Sequence, residues 1–228
     1  MGDENQSERI EWRNGATPVS SLFGDPYFSL AGGLAETRHV FVAGNGLPGR
    51  FADGFGIAEL GFGTGLNLLA TAAAWAGAGV AGTLRYTGFE AHPMPAADMA
   101  RALAAFPELA GFAAPLLAAW RAGRRRFDLG PVAVEIVIGD ARRSLPTWRG
   151  AADAWYLDGF APARNPELWR EELMAEVARH TRPDGTFATY TAAGFVRRGL
   201  QAAGFQVERV PGHGHKRHMS RGRLGRAE

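Results

Sequence analysis

Short apolar runs alternate along this chain with longer stretches whose apolar positions recur at helical spacing. Phe55–Leu60, Leu84–Phe89, Val132–Ile138, Ala154–Leu157 and Thr186–Thr191 read as strands. Between and after them, Leu66–Ala76, Pro95–Ala105, Gly111–Arg121, Glu167–Arg179 and Phe195–Ala203 read as helices, with Gly77 and Gly204 as stops. Strands that alternate with helices predict an α/β fold with a doubly wound, mostly parallel sheet. Gln206–Val210 and about Lys216–Ser220 then predict a closing antiparallel hairpin. Residues 1–54 are dense in turn signals, among them Gly24-Asp25-Pro26 and Gly44-Asn45-Gly46, with short β-like runs such as His39–Ala43. They read as a β-rich N-terminal extension packed on a single compact unit, 55–228. No internal repeat or low-complexity linker interrupts it.

The chemistry starts at Glu59-Leu60-Gly61-Phe62-Gly63-Thr64-Gly65, between the first core strand and its helix. Strand, glycine turn and helix N-terminus in that order predict free backbone N–H groups and a positive dipole end at one point. A dinucleotide fingerprint needs its third glycine three places after the second, and here it follows after two. No Gly-Lys-Ser/Thr follows, which excludes a phosphate-cradling P-loop. Acidic-x-Gly-x-Gly-x-Gly resembles the first motif of Rossmann-like S-adenosylmethionine (SAM) methyltransferases. An ordinary β-to-α turn is the competing reading, because the chain has 31 glycines.

In doubly wound sheets ligands sit beyond the carboxyl ends of the strands. The first four core strands end at the glycine turn, Glu90, Gly139-Asp140 and Asp158. One acidic residue at a strand end often caps the next helix; four polar markers in register predict a site. A SAM pocket needs a carboxylate for the ribose hydroxyls and a polar group near the adenine, so Glu90 is assigned to the first and Asp140, with Ala141, to the second.

Composition narrows the class. The chain has 228 residues, 46% hydrophobic and 21% charged, which suits one soluble α/β domain. No apolar stretch reaches membrane-spanning length, and the polar, acidic start (Met1 to Glu11) predicts no signal peptide and a cytoplasmic protein. There are no cysteines. That excludes disulfides, cysteine-ligated zinc and iron–sulfur clusters, and also the cysteine nucleophile that carbon-5 pyrimidine methylation generally requires. Methyl transfer to an amine or hydroxyl stays open. Net charge is only +2 but gathers in two places, Arg121, Arg124, Arg125 and Arg126, and a C-terminal run with Arg209, Lys216, Arg217, Arg221, Arg223 and Arg226. Each is either a solvated face or a phosphate-contacting surface. His213 and His215 alternate with no carboxylate nearby, so no metal site is expected.

Longer strings resemble one family. They are Ser21–Ser29, Gly33–Phe41, Gly44–Pro48, Glu59–Asn67, Asp153–Pro166, Thr189–Leu200 and Gly214–Arg217. Together they resemble the methyltransferase half of the bacterial bifunctional protein that makes 5-methylaminomethyl-2-thiouridine at the tRNA wobble position. The likeness runs from about Glu11 to Arg217. Those bifunctional proteins continue into an FAD-dependent oxidase; this sequence has no second glycine fingerprint, so FAD is not expected here. A separate oxidase partner, a stand-alone enzyme and an excised domain all remain open.

The resemblance implies SAM-dependent N-methylation of the aminomethyl group on the wobble uridine, with no metal. Glu59, Gly61, Phe62, Gly63, Thr64, Gly65, Asn67, Glu90, Asp140, Ala141 and Asp158 would form the cofactor site. Asp158, beside flexible Gly159, would orient or deprotonate the amine; capping the next turn, or merely touching SAM, is the rival role. Phe160 and Pro162 would wall the methyl or stack on the uracil, or else belong to the core. Tyr27 and Phe28 would close over the site or serve as structural aromatics, and Arg164, Lys216 and Arg217 would meet the tRNA. Two other classes compete: a non-catalytic tRNA-binding module, and a SAM enzyme acting on a small amine, including an aminopropyl transferase of similar fold.

Overall fold

A computed structural model describes residues 9–15, 17–29 and 32–225. Arg226 and residues 1–8 lie outside that range. Two strands, β1 (Ile10–Arg13) and β2 (Thr17–Ser20), form an antiparallel hairpin at the start. The core elements are β3 (Gly56–Leu60), α2 (Leu66–Ala78), β4 (Leu84–Glu90), α3 (Ala96–Leu103), α4 (Ala110–Arg121), β5 (Arg126–Leu129) and β6 (Val132–Ile138). After them come α5 (Ala141–Ser144), β7 (Ala152–Leu157), α6 (Glu171–Arg179), β8 (Thr181–Thr189), α7 (Gly194–Ala202), β9 (Phe205–Pro211) and β10 (His218–Leu224). The short helix α1 (Gly33–Thr37) precedes them.

The eight core strands lie in the order β5-β6-β4-β3-β7-β8-β10-β9. Strands β6, β4, β3, β7 and β8 are parallel; β10 runs antiparallel between β8 and β9, and β5 is antiparallel on the far edge. The expected doubly wound sheet with its closing hairpin is therefore present. The chain enters at β3, builds outward through β4 and β6, then returns to place β7 on β3's other side. That reversal opens a crevice at the carboxyl end of β3.

Strand alternation sends side chains to two cores, one on each face of the sheet. Ile57, Tyr86, Ala154 and Tyr156 pack with α2, α3 and α4, and with Leu34, Val40 and Phe41. Ala58, Leu60, Trp155, Leu157 and Phe187 face the other way, onto α6 and α7.

Several elements differ from their sequence expectation, each for a local reason. His39–Ala43 is not β-like: residues 38–42 form a wide helical turn that buries Val40, Phe41 and Val42 together. Packing overrides the β propensity of that run. Strand β5 was hidden in the arginine-rich stretch, where Phe127 and Leu129 alternate with Arg126 and Asp128; its register sets Arg126 against Glu135. Helix α2 runs past Gly77 and stops at Gly79, whose φ of +64° closes it. Arg170 is extended, so the stretch from Glu167 splits into a single turn and α6. Lys216 falls in the β9–β10 turn, not in a strand. Among the described residues no single helix is long and apolar enough to cross a membrane.

Candidate active site

A cavity of about 870 Å³ opens at the crevice beyond β3, β4, β6 and β7. Its floor is the glycine turn. Gly61 and Phe62 both donate their N–H to Phe89 O, at 3.0 and 3.1 Å, which ties the turn to β4. Gly65 N donates to Phe62 O, and Gly63 N to Glu90 Oε2 at 2.7 Å. The turn's amides are thus largely spent on the protein, unlike the free donor cluster the motif suggests. Positive φ at Gly61 (+79°), Gly63 (+53°) and Gly65 (+78°) explains the glycines, and packing adds to it. A Cβ at Gly61 would stand 3.0 Å from Asp158 O, and one at Gly65 would stand 2.9 Å from Leu116.

Glu90 is held rigidly at the end of β4. Its second oxygen accepts from His92 N at 2.7 Å, so two backbone donors orient the carboxylate while it lines the cavity. Asp140 also lines it, and it caps α5 by accepting from Arg142 N at 2.9 Å. Its side-chain hydrogen bonds with Arg142 hold its pKa below the usual value. Gly139 adds an open patch of wall, because nothing lies within 4 Å of where its Cβ would be.

Asp158 ends β7 on the opposite lip. Oδ1 accepts from Gly159 N at 2.8 Å and Oδ2 from Asn67 Nδ2 at 2.7 Å. Burial pushes its pKa up to about 6, against the pull of those two donors and of Lys216. Asn67, on the first turn of α2, uses the same Nδ2 to reach Glu59 Oε1 at 2.6 Å. Glu59 is fully buried and does not line the cavity; Tyr86 OH donates to its other oxygen at 2.7 Å. Burial, then the Asp158 charge, push its pKa well up, while Tyr86 and Asn67 pull it down.

The expected residues divide into three groups. Gly61, Phe62, Gly63, Thr64, Asn67, Glu90, Asp140, Ala141, Asp158, Tyr27, Phe28, Phe160 and Lys216 line the cavity together. Glu59 and Gly65 lie behind it and brace its floor. Pro162, Arg164 and Arg217 do not line it, and both arginines are solvent-exposed. Phe160 stacks on Phe23 with centroids 4.7 Å apart, and Tyr27 meets it edge-on at 5.1 Å. Asp25 Oδ2 accepts from Ala161 N at 2.8 Å, fastening the 158–165 loop to the N-terminal segment. His39 and His213 face each other at 5.6 Å.

Sequence reasoning did not single out Asp25, Glu36, His92 or Tyr190, all of which line the cavity. Asp25, Glu36 and Tyr190 lie within the strings that carry the family resemblance. Nothing in periodicity marked them, because they come from the N-terminal segment and from just beyond β8.

The family model described as S-adenosyl-L-methionine-dependent methyltransferase matches residues 107–224, more than half of the chain. The chain belongs to this family. The methyltransferase is 48% identical to the tRNA 5-methylaminomethyl-2-thiouridine biosynthesis bifunctional protein MnmC of Aeromonas hydrophila, over 94% of this chain and 35% of that protein. It is also 48% identical to the MnmC of Caulobacter sp. strain K31, over 95% of this chain and 38% of that one. It thus spans about a third of the length of these relatives. Among solved structures, MnmC2 from Aquifex aeolicus superposes with a TM-score of 0.76 at 21% identity, covering 98% of this chain and 72% of that one. Spermidine synthase from Thermotoga maritima superposes at 0.55 with 12% identity, covering 95% and 71%. Both likenesses show a shared fold. The cavity suits the methyltransferase's cofactor: a rigid carboxylate at Glu90, an open wall at Gly139, and room of the size small-molecule sites have.

Proposed function

We propose that this methyltransferase transfers a methyl group to the primary amine of 5-aminomethyl-2-thiouridine at the tRNA wobble position. The observation that carries the reading is Asp158, a cavity-lining carboxylate with a pKa near 6, in a chain nearly half identical to MnmC proteins over almost its whole length. Bound SAM supplies an electrophilic methyl on a sulfonium. The chain's own residues do the rest.

Glu90, Gly63 and the wall at Gly139 would hold the cofactor, with Asp140 and Ala141 at its far end. Asp158 would receive the amine. An alkylammonium has a reference pKa of about 10 and must lose a proton before its lone pair can attack. A base with a pKa near 6 is mostly ionised at neutral pH and raised enough to take part in that proton transfer. Asn67 fixes its orientation, so little reorganisation is needed when the amine arrives. Phe23, Tyr27 and Phe160 form an aromatic wall suited to a flat base. Exposed Arg164 and Arg217 are the candidate phosphate contacts. An FAD-dependent oxidase would supply the aminomethyl substrate.

Methyl transfer from labelled SAM to tRNA carrying the aminomethyl-uridine is the direct test. Label appearing there and not on unmodified tRNA is expected. Label on neither tRNA would overturn the reading.

A further inference from the structure

Lys216 is the protein's only lysine, and its side chain lines the cavity. The ammonium lies 2.7 Å from Glu36 Oε1 and 4.1 Å from the centre of the Tyr190 ring. Glu36 and Tyr190 line the cavity as well. Glu36 is only 7% exposed, a rare setting for a carboxylate. Glu36 Oε1 is buried, and its charged contact is the Lys216 ammonium. A buried carboxylate beside an aromatic face is a seat for a cation. Lys216 fills that seat, and its side chain is 44% exposed, so it has a way out.

A lysine side chain ends in a primary alkylammonium, which is the chemistry assigned above to the substrate. We propose that Glu36 and the face of Tyr190 form the seat for the substrate's aminomethyl ammonium, and that Lys216 holds this seat until the substrate displaces it. The inference rests on the amine-methylation reading and adds how the amine is recognised. The exchange replaces one ammonium with another, so the buried charge of Glu36 is never left unpaired. Burying the incoming cation is offset by returning the lysine's to water. The same logic rejects an unmodified uridine: it brings no cation, and moving Lys216 aside for it would strand the Glu36 carboxylate. The seat also lies near the proposed base, since Glu36 and Lys216 both act electrostatically on Asp158.

A single lysine makes the test direct. Protein labelled with ¹⁵N-lysine has one side-chain ammonium signal, from Lys216, that can be followed without mutation. Saturating tRNA carrying 5-aminomethyl-2-thiouridine should move that signal toward the position of a fully solvated lysine, and the same tRNA with unmodified uridine should not. Glu36→Gln should raise KM for the aminomethyl tRNA at least fivefold, by more than it lowers kcat. A signal that stays put while methylation proceeds would overturn the proposal. So would equal movement with both tRNAs, which would make Lys216 an ordinary RNA contact. Absence of methyl transfer to the aminomethyl tRNA would instead overturn the functional reading beneath it.

Discussion

The amide of Asn67 lies 2.7 Å from Asp158 Oδ2 and so couples the carboxylate at the cavity lip to α2. The same nitrogen donates to Glu59, 2.6 Å away in the core. One side chain therefore links a solvent-reachable acid to a fully buried one. Removing it should leave Asp158 Oδ2 and Glu59 Oε1 without that donor, while Gly159 N and Tyr86 OH still serve the other two oxygens. Asn67→Leu should shift the acid limb of the pH–rate profile upward, because the lost hydrogen bond favoured ionised Asp158. It should also destabilise the fold by about 1–3 kcal/mol, the usual result of leaving a buried polar group unpaired. An unmoved acid limb in a folded variant would remove Asn67 from the tuning of Asp158.

Asp158→Asn keeps the shape and removes the base. The maximal rate should fall by roughly 10²–10⁴-fold, the scale of general acid–base catalysis. The deficit should narrow at high pH, where the substrate amine loses its proton unaided. A pH-independent loss accompanied by weaker SAM binding would make Asp158 a cofactor contact instead.

The same variant has a stability signature. Asp158 has a folded pKa of about 6, above its ordinary value, so the folded state holds that proton more tightly than the unfolded one. Stability from this group is complete below about pH 4 and is lost as pH rises through 6. Asp158→Asn should therefore be more stable than the parent at pH 8, by up to about 3 kcal/mol, and the advantage should vanish near pH 4. Denaturant titrations at the two pH values measure it; a gap that widens toward acid would contradict the raised pKa.

Glu90→Ala should weaken SAM binding more than it slows the bound-state step. A ribose contact exists in ground and transition states alike, so its loss removes about 1.5–3 kcal/mol of uniform binding. Calorimetric SAM affinity, set beside kcat, separates the cases. A collapsed kcat with unchanged affinity would refute the ribose assignment.

Arg217 and Lys216, neighbours in sequence, should behave differently. Arg217 is exposed and outside the cavity, whereas Lys216 turns inward onto Glu36. A phosphate contact releases counterions, so Arg217→Ala should flatten the plot of log tRNA affinity against log salt by nearly one unit. Lys216→Met should leave that slope unchanged. Equal flattening in both variants would place both side chains on the phosphate backbone.

The strand–glycine turn–helix, the parallel sheet and the carboxylates at strand ends were legible because each depends on residues close in sequence. Hydrophobic period separates strand from helix, and glycine adopts most readily the positive φ found at Gly61, Gly63 and Gly65. That sufficed to place Glu90, Asp140 and Asp158 around one crevice. Whether a given polar group faces the cavity was not legible. Glu59 heads the motif yet is sealed beneath it, since β3 is buried on both faces and its glutamate meets Tyr86 and Asn67. Lys216 reads as part of a basic run, but the β9–β10 turn carries it across to a carboxylate from α1, 180 positions earlier in the numbering. Local period and turn chemistry are properties of neighbours along the chain. Which acid meets which amide or ammonium is decided only when β3, β7, α1 and the final hairpin pack together, because burial and pairing depend on contacts that sequence separation does not encode.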